Sequence, residues 1–133
     1  MNPKISLITL GVNDLPRAVR FYRDGLGLPL HAASNDDVAF FSLNGTWLGL
    51  WSRKSLAEDA GLVDDGKGFR PFTLAHNTHT KAEVDEVLRQ AERAGAKILK
   101  QGQDAFWGGY YGHFADPEGF VWEVARNPHL PLA

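Results

Sequence analysis

The segment ITLGVNDLPRAVRFYRDGLGL (residues 8–28) predicts a strand that runs directly into a helix. Residues 5–12 are apolar and rich in β-branched side chains, which is typical of a strand. Apolar residues then recur at helical spacing through 15–22. We therefore expect an amphipathic helix that ends near Gly25 or Gly27, because glycine tolerates the backbone conformation that terminates helices.

Further strands and a polar connector follow this helix. Asn44 and Gly45 separate two of the strand candidates and predict a two-residue hairpin turn, since both residue types tolerate positive φ. The next stretch is rich in Gly, Asp, Lys and Ser, which favours a connector with about one helical turn. The predicted strands are 28–32, 38–43 and 46–51, and the connector is 52–70 with its helical turn at 56–60.

The same order of elements then repeats. Residues 72–77 predict a strand, and 80–94 predict a helix that opens with a capping box formed by Thr80 and Glu83 and stops at Gly95. Three more strands are predicted at 96–100, 109–115 and 120–125, with a turn at 116–119. Each half thus has the order β-α-β-β-β, which predicts a single domain, 1–133, with modules 1–51 and 71–126. Chance similarity between two amphipathic α+β stretches is the alternative.

Composition narrows the functional classes. The chain has 133 residues, a formal net charge of −2 and no cysteine. The charge and the lack of a basic stripe argue against nucleic-acid binding, and the lack of cysteine excludes thiolate catalysis and sulfur-bound zinc. The amino-terminal segment makes a poor signal peptide, and no apolar stretch reaches the roughly 18 residues of a membrane span. We expect a cytoplasmic protein without a membrane partner.

Two motifs at opposite ends of the repeat resemble the vicinal oxygen chelate superfamily, which contains glyoxalases, bleomycin-resistance proteins and extradiol dioxygenases. The opening segment 8–28 has the family's order of Asp-Leu, Phe-Tyr and Leu-Gly-Leu after a strand. The closing segment GHFADPEGFVWEV (112–124) has Asp-Pro-x-Gly before a glutamate on the last strand. The resemblance implies an α+β fold in which two βαβββ modules form an eight-stranded U-shaped sheet around a cleft, often in a homodimer.

The resemblance also implies a metal site whose usual ligands are mostly missing here. The family takes one histidine from the first strand, one from the strand that opens the second half, and a glutamate from the last strand. The glutamate is present as Glu123, but the histidine positions fall at Leu7 and within residues 71–73, and a fourth ligand position falls at Gly49. We therefore expect no cofactor and a metal-independent site. His76 is the nearest histidine, and we assign it with Glu123 as the candidate catalytic pair.

Aromatic side chains are dense on the predicted strands, and the segment FWGGYY (106–111) is the most unusual in the chain. Flat side chains with a polar end suit an aromatic or amphipathic small molecule, although they also suit core or dimer packing. Arg53 and Arg70 flank the connector and are candidates for an anionic group of a ligand or for solvated surface. The candidate ligand-binding residues are Phe41, Trp51, Trp107, Tyr110, Tyr111 and His113.

Three functions follow from these features. The leading hypothesis is a metal-independent protein that binds a small molecule in a cleft. The alternative is a lyase, isomerase or dioxygenase that uses Glu123 as a base or metal ligand, with His76 and either His113 or a tyrosine as partner. A third is a non-catalytic partner domain whose cleft is filled by its own side chains.

Overall fold

The computed structural model describes residues 1, 3–70 and 72–133, and these form two compact units, Met1–Gly66 (unit 1) and Lys67–Ala133 (unit 2). The described residues contain seven strands in two sheets and three α-helices, which confirms the α+β class. Unit 1 consists of β1 (Leu7–Val12), α1 (Leu15–Val19), β2 (Val38–Ser42), β3 (Trp47–Ser52) and α2 (Arg53–Asp59). Unit 2 consists of β4 (Leu74–Asn77), α3 (Lys81–Ala94), β5 (Lys97–Asp104), β6 (Tyr110–Ala115) and β7 (Val121–Arg126).

The sheet of unit 1 has the order β1-β3-β2, with β1 parallel to β3 and β2 antiparallel to it. Leu10 and Leu50 are paired across β1 and β3 and are buried. α1 passes directly into a π-helical stretch, Arg20–Gly25, which buries Phe21 and Tyr22. The predicted end of this helix near Gly25 is therefore correct, but its last part has the wider π-helical turn.

Two sequence predictions in unit 1 are wrong. The predicted strand at 28–32 is reduced to a single bridge between Leu30 and Phe41. Pro29 accounts for this, because proline has no N–H to donate to a ladder and restricts the residue before it. The hairpin between β2 and β3 has a four-residue connection, 43–46, instead of the predicted two-residue turn. Among the described residues positive φ is confined to glycines, here Gly45 at 98°, so the two-residue turn, which needs it at both centres, is not formed.

The sheet of unit 2 has the order β4-β7-β6-β5, with β4 parallel to β7 and the other neighbours antiparallel. In both units the first strand therefore lies parallel to the last strand. α3 begins after the predicted Thr80–Glu83 capping box and ends at Gly95, whose φ is 112°. It packs against β5, β6 and β7 with Val84, Leu88 and Ala91 buried.

The connector contains α2 at Arg53–Asp59, close to the helical turn predicted at 56–60. Over the part of the chain that the structure describes, no helix combines the length and apolar character that a bilayer-spanning segment requires.

Candidate functional site

The side chains of unit 2 alternate between a face that α3 covers and the opposite face, here called the distal face. Val124 is fully buried, and a Cβ added to Gly112, its partner on β6, would lie 2.6 Å from Leu88 Cδ1 of α3. Both positions therefore face the helix. Because successive residues of a strand point to opposite faces, their neighbours His113 and Glu123 point to the distal face.

His113 and Glu123 are direct cross-strand partners on β6 and β7. The distance from His113 Nε2 to Glu123 Oε2 is 3.8 Å, and the side chains are 22% and 34% exposed. Burial lowers the pKa of His113 below its ordinary value; Glu123 opposes this shift and Lys100 adds to it. His113 is therefore mainly neutral at pH 7, with a carboxylate nearby to stabilise the cation it would form on accepting a proton.

Two aromatic side chains extend this pair along the distal face. The ring of Tyr111 stands perpendicular to that of His113 at 5.5 Å, and the ring of Trp107 lies 6.2 Å from Tyr111 at an interplanar angle of 40°. Trp107, Tyr111, His113 and Glu123 form one continuous set, here called the aromatic row. It offers flat apolar surfaces at one end and proton-transfer groups at the other.

The glycines of the FWGGYY segment hold Trp107 in this row. The Ala105 N–H donates to the Gly109 carbonyl at 2.9 Å, and Gly108 has a φ of 94°. A Cβ on Gly109 would overlap the Trp107 indole, so only glycine admits the ring here. His129 Nε2 donates to the Trp107 carbonyl at 2.9 Å. Although His129 is exposed, this hydrogen bond anchors the loop.

Lys100 joins the site through an irregularity in β5. Ile98 opposes Phe114, but a register shift follows, so that Lys100 opposes His113 instead of Gly112. A bulge of this kind turns a side chain to the other face of its sheet. Lys100 Nζ accordingly lies 3.2 Å from the Tyr111 hydroxyl and 5.1 Å from the centre of its ring. Lys100 was not among the residues predicted from the sequence. The local signal of an irregular strand is an isolated glycine, Gly102, which lies at a second register shift between Lys100 and Gln103.

The predicted partner of Glu123 is not beside it. His76 is opposite Val124 in the parallel register of β4 and β7, whereas Ala75 is opposite Glu123. His76 is exposed and lies on the face opposite to that of Glu123. The structure therefore brings Glu123 together with His113 and leaves His76 apart.

The other predicted ligand-binding residues lie outside the aromatic row. Tyr110 faces α3, where its hydroxyl donates to Asp85 Oδ1 at 2.8 Å, and this hydrogen bond raises the pKa of Tyr110. Phe41 is completely buried in unit 1, with its ring 6.1 Å from that of Tyr22. Trp51, on β3 of unit 1, is half-buried.

Both arginines that flank the connector have partners within their own unit. Arg53 donates to Asp64 at 2.6 Å and to the Gly66 carbonyl at 2.7 Å. Arg70 lies 4.3 Å above the Phe120 ring and donates to the Glu118 carbonyl at 3.1 Å. These contacts give each guanidinium a structural role.

The donor set does not fit the metal site implied by the family resemblance. Leu7 on β1 and Gly49 on β3 supply no ligand atoms, and the position predicted within residues 71–73 includes Pro71, which lies outside the described residues. Elsewhere in the described chain no group of three or more His, Cys, Asp or Glu side chains is placed to hold a metal ion. His113 and Glu123 give two ligands, whereas zinc takes four, or three and a water.

Comparison with known proteins identifies the family. The model of the Glyoxalase/Bleomycin resistance protein/Dioxygenase superfamily matches residues 4–124. The chain is 30% identical over 128 residues to the protein YraH of Bacillus subtilis, covering 92% of this chain and 98% of YraH. It is 32% identical over 129 residues to the glutathione transferase FosA of Serratia marcescens, covering 93% and 81% of the two chains.

A solved structure agrees with this assignment. The crystal structure of a glyoxalase-related enzyme from Fulvimarina pelagi superposes with a TM-score of 0.87 at 33% identity, covering 98% of this chain and 93% of that chain. The match of sequence, element order and fold over nearly the whole chain shows that the protein belongs to the glyoxalase/bleomycin resistance protein/dioxygenase superfamily.

Proposed function

We propose that this protein binds a small aromatic or amphipathic molecule on the distal face of unit 2, without a resident metal ion. The observation that carries the proposal is the aromatic row, which sets two flat rings beside an imidazole and a carboxylate. Aromatic surfaces with a few polar groups are typical of small-molecule sites. The incomplete donor set supports metal independence, since Leu7 and Gly49 stand where the family places ligands.

Tryptophan fluorescence tests the binding proposal. Titration with a panel of aromatic compounds is expected to quench the emission, and Trp107→Phe is expected to remove most of that quenching. Trp122→Phe, which alters a tryptophan stacked on Phe114 on the opposite face of the same sheet, serves as the matched control and is expected to keep the response. If no compound quenches the emission or raises the melting temperature, the proposal fails.

Elemental analysis tests metal independence. Protein purified without a metal-binding tag is expected to contain no stoichiometric divalent ion. One tightly held ion per chain, lost in Glu123→Gln, would refute this part of the proposal while leaving the aromatic row as a binding site.

The His113–Glu123 pair favours a second candidate, a lyase or isomerase. Neutral His113 would accept a proton from a substrate carbon next to a carbonyl group, the electron pair of the broken C–H bond would form an enolate, and Glu123 would stabilise the imidazolium. In an isomerase the proton would return to a neighbouring carbon. In a lyase the enolate would break the bond from its adjacent carbon to a leaving group, and His113 would give its proton to that group. FosA, a relative named as a glutathione transferase, supports enzymatic activity. We place proton transfer ahead of dioxygenation because it uses the imidazole and carboxylate that are paired here, whereas Leu7 and Gly49 cannot supply the ligands of the family's metal site.

Turnover measurements separate this candidate from simple binding. His113→Asn and Glu123→Gln are each expected to abolish turnover without unfolding the protein, whereas His76→Asn, on the opposite face of the sheet, is expected to retain it. Activity that survives both changes in the pair would exclude the proton-transfer role.

We extend the proposal to a cytoplasmic homodimer, on the basis of family resemblance. Light scattering of the purified chain tests the dimer, and a monomer at micromolar concentration would overturn it.

A further inference from the structure

Lys100 brings a positive charge to the aromatic row by means of the bulge in β5. Without the register shift this residue would oppose Gly112 and point toward α3. With the shift, it opposes His113, and its ammonium group lies over the Tyr111 ring. Lysines are common on edge strands, but an edge lysine requires no bulge. The bulge therefore places the Lys100 side chain on the distal face.

The charges along the row have a fixed order across the sheet. At the level of His113, Lys100 lies on β5, the imidazole on β6 and Glu123 on β7. Neighbouring strands are about 4.8 Å apart, so the positive and negative groups arise on backbones roughly 10 Å apart, with the neutral ring between them. A flat ligand above the row would thus meet a cation at one edge and an anion at the other.

The nearest hydrogen-bond partner of the Lys100 ammonium is a neutral phenol rather than a carboxylate. Its Nζ donates to the Tyr111 hydroxyl at 3.2 Å, and the lysine side chain is exposed. In contrast, the Lys81 ammonium of α3 lies 2.7 Å from a carboxylate oxygen of Asp104. Lys100 consequently keeps capacity to pair with an anionic group that arrives with a ligand.

From these placements we infer that the ligand of the aromatic row is an aromatic acid, bound with its rings on Trp107 and Tyr111 and its acidic group toward Lys100. The inference rests on the proposed binding function and specifies the substrate class. Glu123 fixes the orientation, because the acidic group of the ligand is repelled from β7 and attracted to β5. An exposed ion pair contributes modestly, which sets the expected preference for the acid over a neutral analogue at about threefold to fivefold.

The test compares 2-naphthoate with 2-naphthamide, two flat ligands that differ in charge. Dissociation constants are measured from tryptophan quenching at low salt for the wild type and for Lys100→Gln. We expect the wild type to prefer the acid about threefold to fivefold and the variant to bind both equally. Raising the salt concentration should narrow the wild-type preference, because salt screens exposed charges.

Two further variants make the result specific to Lys100. Lys97→Gln removes a lysine of the same strand that opposes Ala115, two residues along β6 from His113, and is expected to keep the preference. Lys100→Arg retains the charge and should also keep the preference for the acid. This variant shows that a lost preference in Lys100→Gln results from the missing charge and not from altered folding. Circular dichroism verifies that all variants are folded.

The possible outcomes separate the two proposals. The inference is overturned if the wild type, like Lys100→Gln, binds the acid and the amide with equal affinity. The aromatic row would then remain a binding site. If neither ligand binds the wild type, the proposed binding function fails and takes the inference with it. A preference that persists in Lys100→Gln but disappears in Lys97→Gln would also overturn the role of Lys100.

Discussion

Replacing Tyr110 by Phe should destabilise the protein and leave ligand binding intact. The sequence alone groups Tyr110 with Tyr111 as a candidate ligand-binding residue, but the two side chains point to opposite faces of β6. The Tyr110 hydroxyl donates to Asp85 Oδ1 at 2.8 Å and so ties β6 to α3. The substitution removes this hydrogen bond and changes nothing on the distal face.

The expected cost follows from the nature of this hydrogen bond. A bond to a charged group contributes about 1.5–3 kcal/mol to stability, and the lower part of the range applies because Asp85 is half-buried and can be solvated when its partner is lost. We therefore expect a loss of about 1.5–2 kcal/mol. For a domain of this size, that corresponds to a fall in melting temperature of roughly 3–10 °C.

The pH dependence gives this prediction a second readout. The hydrogen bond from Tyr110 to Asp85 raises the pKa of the phenol, so the unfolded chain releases the proton at about pH 10 and the folded protein only at higher pH. The stability contributed by Tyr110 is thus present below pH 10 and is lost as the pH rises through the folded value. The difference in the free energy of unfolding between wild type and Tyr110→Phe, measured by urea denaturation, should become smaller above pH 10.

A double-mutant cycle with Asp85→Ala assigns the effect to the pair. The double variant should lose less stability than the sum of the losses in the two single variants, since either change removes the same hydrogen bond. Equal melting temperatures of wild type and Tyr110→Phe, or a loss of naphthoate binding in this variant, would refute the assignment of Tyr110 to the helix face. Tyr111→Ala is the matched comparison and should weaken ligand binding.

Three further predictions concern the distal face. Glu123→Gln should lower the pKa of His113 further, because the carboxylate raises it in the wild type; an NMR titration of the imidazole tests this, and an unchanged pKa would contradict the pairing. Burial lowers the pKa of His113, so on acidification the imidazole is protonated in the unfolded chain before it is protonated in the folded protein. As the pH falls from about 6.5 through the lower pKa of the folded protein, the wild type should therefore lose stability relative to His113→Asn, which urea denaturation measures. Gly109→Ala should displace the Trp107 indole, which should shift the fluorescence spectrum of the unliganded protein and also reduce the quenching caused by a ligand. An unchanged spectrum would show that the loop accommodates the methyl group.

Most of the fold could be predicted from local patterns. The capping box at Thr80 and the stop at Gly95 are decided within a few residues, and the structure has both. The failed strand at 28–32 shows the limit of this reasoning. Its apolar pattern fits a strand, but a ladder requires backbone donors, and Pro29, the second residue of the segment, removes one.

The site was harder to predict because it depends on register between strands. The alternation within β4 puts His76 on one face, yet only the pairing of β4 with β7 shows that this face is opposite to that of Glu123. Lys100 depends in the same way on a bulge, which moves it opposite His113 although regular alternation places it opposite Gly112. Residue types can indicate the chemistry of a site, whereas contacts between segments distant in sequence determine which side chains lie next to each other.

The turn between β6 and β7 determines that His113 meets Glu123. The buried Asp116 carboxylate accepts the backbone N–H groups of Glu118 and Phe120, and the Asp116 N–H donates to the Phe120 carbonyl at 2.8 Å. These bonds fix the connection at five residues, so that Ala115 opposes Val121 and His113 opposes Glu123. A slip of one residue would place Gly112 or Phe114 opposite the glutamate and would exchange the buried and exposed sets of one strand. The Asp-Pro-x-Gly motif thus does more than indicate the family, because it sets the register that assembles the imidazole and carboxylate at one place.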